Sequence, residues 1–188
     1  MKTAILFFGR TQPCVHKGHE MIFDKMRNEW LKDPQNSSYF IYLTMTVNRN
    51  SPIPYKTKLD ISKQLVPLHA SRFVDEHPGN LISVLKDLQE NYTDIKIYTG
   101  SDRSLGLSYV YDYNGKEYNF NSIEVVNAGE RNIWSTGVDG ISGTKLRECI
   151  RNKDLDGFID GIPRTPKEKA SEVFNTLSNE MNVVSKAS

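Results

Sequence analysis

Three features of this 188-residue sequence predict an α/β fold, with a parallel sheet covered by helices on both faces. Residues 4–8 (AILFF) are a continuous apolar run ended by Gly9, the pattern of a strand buried on both sides. Segments with an apolar residue every four positions then alternate with segments rich in β-branched and aromatic residues. The connections between them are short and marked by Gly, Pro and Asn, which favours strand, helix, strand units with right-handed crossovers.

The first element is a central strand. Residues 18–32 follow as an amphipathic helix, because Ile22, Met26 and Trp30 recur at four-residue steps while Glu20, Asp24 and Arg27 occupy other faces. Residues 39–47 (YFIYLTMTV) read as the second strand. Pro52 and Pro54 introduce a helix over 55–68, and residues 71–75 read as a short strand. Residues 81–92 place Leu81, Val84, Leu85 and Leu88 on one helical face ahead of a strand over 95–99, ended by Gly100. The tyrosine-rich stretch 109–120 surrounds Asn114-Gly115 and reads as a loop or hairpin before a strand over 122–126. A short helix is expected after Ser142, and residues 165–182 read as a terminal helix followed by a frayed end. The expected organisation is a single domain, 1–163, with a C-terminal helical tail, 164–188.

With 24 basic and 23 acidic residues, the sequence has no charge excess of the kind that tracks a nucleic-acid backbone or an anionic membrane, so neither is expected as a partner. The longest apolar run is far short of the roughly 20 residues of a membrane-spanning helix. Two distant cysteines, Cys14 and Cys149, and an opening without a secretory leader pattern suit a reducing, cytoplasmic location.

In open parallel sheets ligands bind beyond the carboxyl ends of the strands, here residues 9–19, 100–104 and 127–144. The first of these contains FGRTQPCVHKGH, in which His16 and His19 stand three apart at the opening of a helix. Free backbone N–H groups and the positive helix end favour an anion there, and two imidazoles add donors. Gly9 and Gly18 let the backbone approach a ligand closely. In ISGTKLR, Ser142 can cap a helix whose first turn is crowded by Thr144, Lys145 and Arg147. Cations at that end oppose the helix dipole unless an anion is bound, and a triphosphate would be such an anion. A zinc reading of the histidines has only Cys14 as an obvious third ligand, where a structural site needs about four.

Taken together, the two segments resemble the HxGH-type nucleotidyltransferase superfamily, whose fold is Rossmann-like, and within it the nicotinamide-mononucleotide adenylyltransferases. Their first motif resembles GRFxPxHxGH. Gly9, Arg10, Pro13, His16, Gly18 and His19 carry its residues in order, with Thr11 in place of phenylalanine and two residues instead of one between Pro13 and His16. Their second resembles ISSTxxR, matched by Ile141, Ser142, Thr144 and Arg147, with Gly143 in place of the second serine. Residues 99–102 (TGSD) resemble the family's segment beside the nucleoside.

The resemblance implies transfer of AMP from ATP to a phosphate-bearing acceptor, nicotinamide mononucleotide, forming NAD and pyrophosphate. It implies His16, His19, Arg10 and Arg147 as the catalytic set. Phe8, Gly9, Gly18, Gly100, Asp102, Ile141, Ser142 and Thr144 are expected around the nucleotide. Mg2+ is expected to be held mainly by substrate phosphates and water, with no protein ligand. The acceptor is expected at Asn48 and Lys56 in NRNSPIPYKTK, which also carries Arg49 and Lys58, and Trp134 is expected to stack on its ring. Plainer roles stand beside these: solvated charge for Lys56 and Lys58, a helix cap for Asp102 and packing for Trp134. Assembly into a homo-oligomer is left open. Two other functions compete, a cytidylyltransferase acting on an alcohol or sugar phosphate, and a non-catalytic nucleotide-binding regulator.

Overall fold

The computed structural model describes residues 1–100, 104–129 and 142–187, the last five as backbone only. Asp102, Trp134 and Ile141 lie outside the described residues. The fold is α/β and Rossmann-like, and the chain forms two compact units from interleaved segments. The described residues of the first unit fall in 1–9, 21–44, 72–100 and 104–129; those of the second fall in 10–20, 45–71 and 142–187.

The first unit holds a four-stranded parallel sheet built from β1 (Thr3–Gly9), β2 (Ser37–Leu43), β3 (Asp94–Gly100) and β4 (Ser122–Gly129), in the order β2-β1-β3-β4. The unbroken apolar run therefore forms an interior strand. Successive side chains of β1 alternate between two helical coverings. Ala4 and Leu6 share an apolar cluster with Leu81, Val84, Leu85 and Leu88 of a helix over Leu81–Leu88, whose N-cap Asn80 accepts a hydrogen bond from the Ser83 N–H. Phe7 points the other way and meets Phe23 edge-on, ring centroids 5.2 Å apart, on a helix over Lys17–Lys32.

Three readings change. β2 stops at Leu43, short of residue 47, because its partner β1 ends at Gly9; the Thr44 N–H still reaches the Gly9 carbonyl. Residues 71–75 make no strand: a 3-10 helix occupies Pro67–Arg72, and Phe73 forms a single bridge to Ile41. The tyrosine-rich stretch is a short helix, Tyr109–Asp112, followed by a turn rather than a hairpin. The Asn114 side chain closes that turn by accepting from the Phe120 N–H at 2.8 Å and donating to the Phe120 carbonyl at 3.1 Å.

In chain order the helices are α1 (Lys17–Lys32), α2 (Tyr55–Leu65), α3 (Leu81–Leu88), α4 (Tyr109–Asp112), α5 (Gly143–Arg151), α6 (Leu155–Gly161) and α7 (Lys167–Ala187). The second unit takes its core from α2, α5, α6 and α7, whose Ile61, Leu146, Phe158 and Phe174 belong to one buried cluster. α6 is an element the sequence reading lacks; Asp154 caps it by accepting from the Gly157 N–H. α7 continues past residue 182 to Ala187. No described helix is long and apolar enough to cross a membrane.

Candidate functional site

The second unit contains the described parts of both sequence motifs from Arg10 onward. α1 begins directly after His16, and His16 acts as its N-cap: its Nδ1 accepts from the Gly18 N–H at 3.0 Å and the His19 N–H at 3.3 Å. His19, three residues on, returns the favour, its Nδ1 accepting from the His16 N–H at 3.2 Å. This is the reciprocal arrangement of a capping box, with imidazoles in place of the usual Ser/Thr and Glu/Gln. The rings stack, centroids 3.7 Å apart. A Cβ at residue 18 would stand 2.8 Å from His16 Cε1, so glycine there lets the ring fold back over the helix start.

Two consequences follow for chemistry. With both Nδ1 atoms accepting backbone N–H bonds, each neutral ring carries its proton on Nε2. The expectation that free N–H groups of this helix end bind an anion is corrected for Gly18 and His19, whose N–H groups the imidazole takes.

The loop before α1 is tied down on several sides. Lys58 Nζ donates to the Arg10 carbonyl at 2.6 Å. Gln12, 4% exposed, pairs with the backbone of Ile53 in both directions at 3.1 Å, its Nε2 donating to the carbonyl and its Oε1 accepting from the N–H. These ties flank Thr11, a buried β-branched residue held at φ 45. That left-handed backbone costs roughly 1–3 kcal/mol and persists only where neighbours over-determine it.

From the second motif, Ser142 caps α5, its Oγ accepting from the Lys145 N–H at 3.2 Å, so the cap survives without a second serine. Arg147 Nη1 donates to the Gln12 carbonyl at 3.0 Å and Nη2 to Thr144 Oγ1 at 3.1 Å. The two motifs, more than a hundred residues apart in sequence, meet in this hydrogen bond.

Electrostatics at these residues are unfavourable to cations. Burial, then the charge of Arg10, pushes the Lys58 ammonium down to about 8. Burial also lowers Arg147, and Arg151 and Arg10 lower it further. Arg10 itself is exposed. Lys58 supplies a sign test. Its folded value lies below its ordinary 10.5, so between about pH 8 and about pH 10.5 the unfolded chain binds more protons and stability rises with pH. As pH falls to about 8 that contribution is lost. Unfolding free energies from urea titrations at about pH 7.5 and about pH 10 are expected to differ by about 2 kcal/mol more in the parent than in Lys58→Met. Equal pH dependence in both proteins would show that Lys58 is not the titrating group.

Several expected contacts sit differently. Asn48 Oδ1 accepts from the N–H groups of Asn50 and Ser51, both at 2.9 Å, so this oxygen builds the turn before α2. Lys56 is exposed, and the buried lysine of that segment is Lys58, 0% exposed. Phe8, Gly9 and Gly100 belong to the sheet unit. There the Phe8 ring packs against Tyr42 and His77, with centroids 6.5 Å and 6.0 Å away. Gly100 ends β3 with open space where a Cβ would stand. Cys14 lies in the apolar cluster of the second unit, and burial raises its thiol well above the ordinary range. Gln12, Gly143 and Arg151 are additional residues of this region; only Arg151, four residues after Arg147 on α5, carries a helical-spacing signal.

No family model and no curated protein matches this sequence. Among solved structures, the apo crystal structure (form I) of Thermotoga maritima TmcAL is similar over 96% of this chain, with 12% identity and a TM-score of 0.49. The chain spans 57% of that protein.

Proposed function

We propose that this protein is a nucleotidyltransferase that moves AMP from ATP to a phosphate-bearing acceptor, with nicotinamide mononucleotide as the acceptor and pyrophosphate as the second product. The observation that carries the reading is the meeting of Arg147 with the Gln12 carbonyl, beside Arg10 and Lys58. It joins two phosphate-type motifs and gathers cations that disfavour one another. Such a set is relieved by a polyanion, and a triphosphate chain has the charge and donor demand to fit.

In this reading the acceptor phosphate attacks the α-phosphorus in line, the bond to the β-phosphate oxygen breaks, and no covalent enzyme intermediate forms. The Nε2–H groups of His16 and His19 stabilise charge as it develops on the transferred phosphoryl group. Arg147 and Thr144 hold the departing pyrophosphate, and Arg10 supplies field to both ends. Magnesium held by the nucleotide's phosphates and by water would screen the charge of those phosphates.

The test is pyrophosphate release from each nucleoside triphosphate against nicotinamide mononucleotide, nicotinate mononucleotide, pantetheine phosphate and phosphocholine. Release with ATP and the first acceptor supports the proposal. Release only with CTP and phosphocholine would replace it with cytidylyl transfer, and tight ATP binding without release under any pairing would make the protein a nucleotide sensor.

A further inference from the structure

We infer that Gly143 is a positioning residue, whose missing side chain lets α5 start against the Gln12 carbonyl and thereby fixes the direction of the Arg147 guanidinium. A Cβ at residue 143 would stand 2.1 Å from the Gln12 oxygen and 3.2 Å from Arg147 Nη1. No real Cβ contact is that short, so any side chain must drive the two backbones apart. The Gln12 carbonyl is the less free to move. Its own side chain is paired twice to Ile53, and the Arg10 carbonyl two residues before it is held by Lys58.

The start of α5 is therefore the part that yields, and the Nη1 bond to Gln12 is lost with it. Among the described residues Thr144 alone then holds the guanidinium, at one nitrogen. A guanidinium bonded at both Nη atoms is preorganised, and one bonded at a single atom rotates and loses directional binding of an anion. Glycine in place of serine is thus not a lost hydroxyl contact. Ser142 already caps α5, and what residue 143 supplies is backbone proximity.

That Arg147 faces a polyphosphate rests on the proposed function; that Gly143 sets its direction does not, and the two are tested apart. The first measurement uses nitrogen-15 spectra of the arginine side chains without ligand, with Arg147→Lys identifying the signal. Resolved, slowly rotating Nη protons are expected for Arg147 in the parent, and one averaged signal in Gly143→Ala. Gln12→Ala, which keeps Gly143 but unpins the carbonyl, is the second variant and is expected to average the signal as well. Resolved signals persisting in both variants, or averaging already in the parent, would overturn the inference.

The second measurement is binding of inorganic tripolyphosphate. Gly143→Ala is expected to weaken it about tenfold in the parent and to have no further effect in an Arg147→Ala background. Equal losses in the two backgrounds would overturn the inference. A parent that binds no tripolyphosphate would instead count against the proposed function, with the arginine spectra still deciding the role of Gly143.

Discussion

His16→Asn and His19→Gln are each expected to keep the fold and to lower pyrophosphate release by about 10²–10⁴-fold. These substitutions separate the two jobs of each imidazole. Asparagine is a favoured N-cap, and its Oδ1 takes over the N–H groups that His16 Nδ1 now accepts, while glutamine is a usual third-position partner in a capping box. Stability should therefore change by less than about 1 kcal/mol. What is removed is the Nε2–H of each ring, the donor to which the proposed function assigns the developing phosphoryl charge. ATP affinity is expected to change far less than turnover, because the interaction strengthens in the transition state. Turnover within a few-fold of the parent in both variants would leave the imidazoles as helix caps alone.

Gln12→Ala is expected to lower folding stability by roughly 2–4 kcal/mol, more than a typical surface change. The side chain is buried and satisfies both the N–H and the carbonyl of Ile53, so alanine strands two backbone groups in a dry environment. Thr11 next to it is held in left-handed backbone, and the strain stored there is released when one of its flanking ties is cut. Chemical denaturation reads this directly. A loss below about 1 kcal/mol would mean that water replaces the side chain and that the loop is not clamped by Gln12.

Much of this was legible in the residues. The buried first strand comes from its apolar run, the strands β2, β3 and β4 from residue type and turn signals, and α1 and the terminal helix from period, because the apolar faces have to meet a core. The sequence also set FGRTQPCVHKGH beside ISGTKLR, and the bond from Arg147 to the Gln12 carbonyl brings those two segments together. The three-residue interval between His16 and His19 was readable as a capping box, yet histidine is an unusual cap, and the interval was taken only as a phosphate pattern. Lys58 lies three residues before Ile61 and seven before Leu65, on the apolar face of α2, so its burial was signalled; Lys56 lies off that face. Contacts between a side chain and distant backbone left no trace. Nothing in QPC announces Ile53, and the crowding at Gly143 comes from a carbonyl far away in the chain. Asn114-Gly115 marked a turn correctly, but its closure by the asparagine amide depends on where Phe120 packs.

α7 has a hand in placing Lys58 and Arg147. α7 sends Ala170, Val173, Phe174, Leu177 and Met181 into the same apolar cluster that receives Ile61 of α2 and Leu146 of α5, and Glu180 accepts from Thr57 Oγ1 at 3.4 Å. Those two helices carry Lys58 and Arg147. A chain shortened ahead of residue 170 would keep every motif letter and still lose the wedge that steadies them, so the minimal folded fragment is set by the packing of α7 and not by where the motif residues stop.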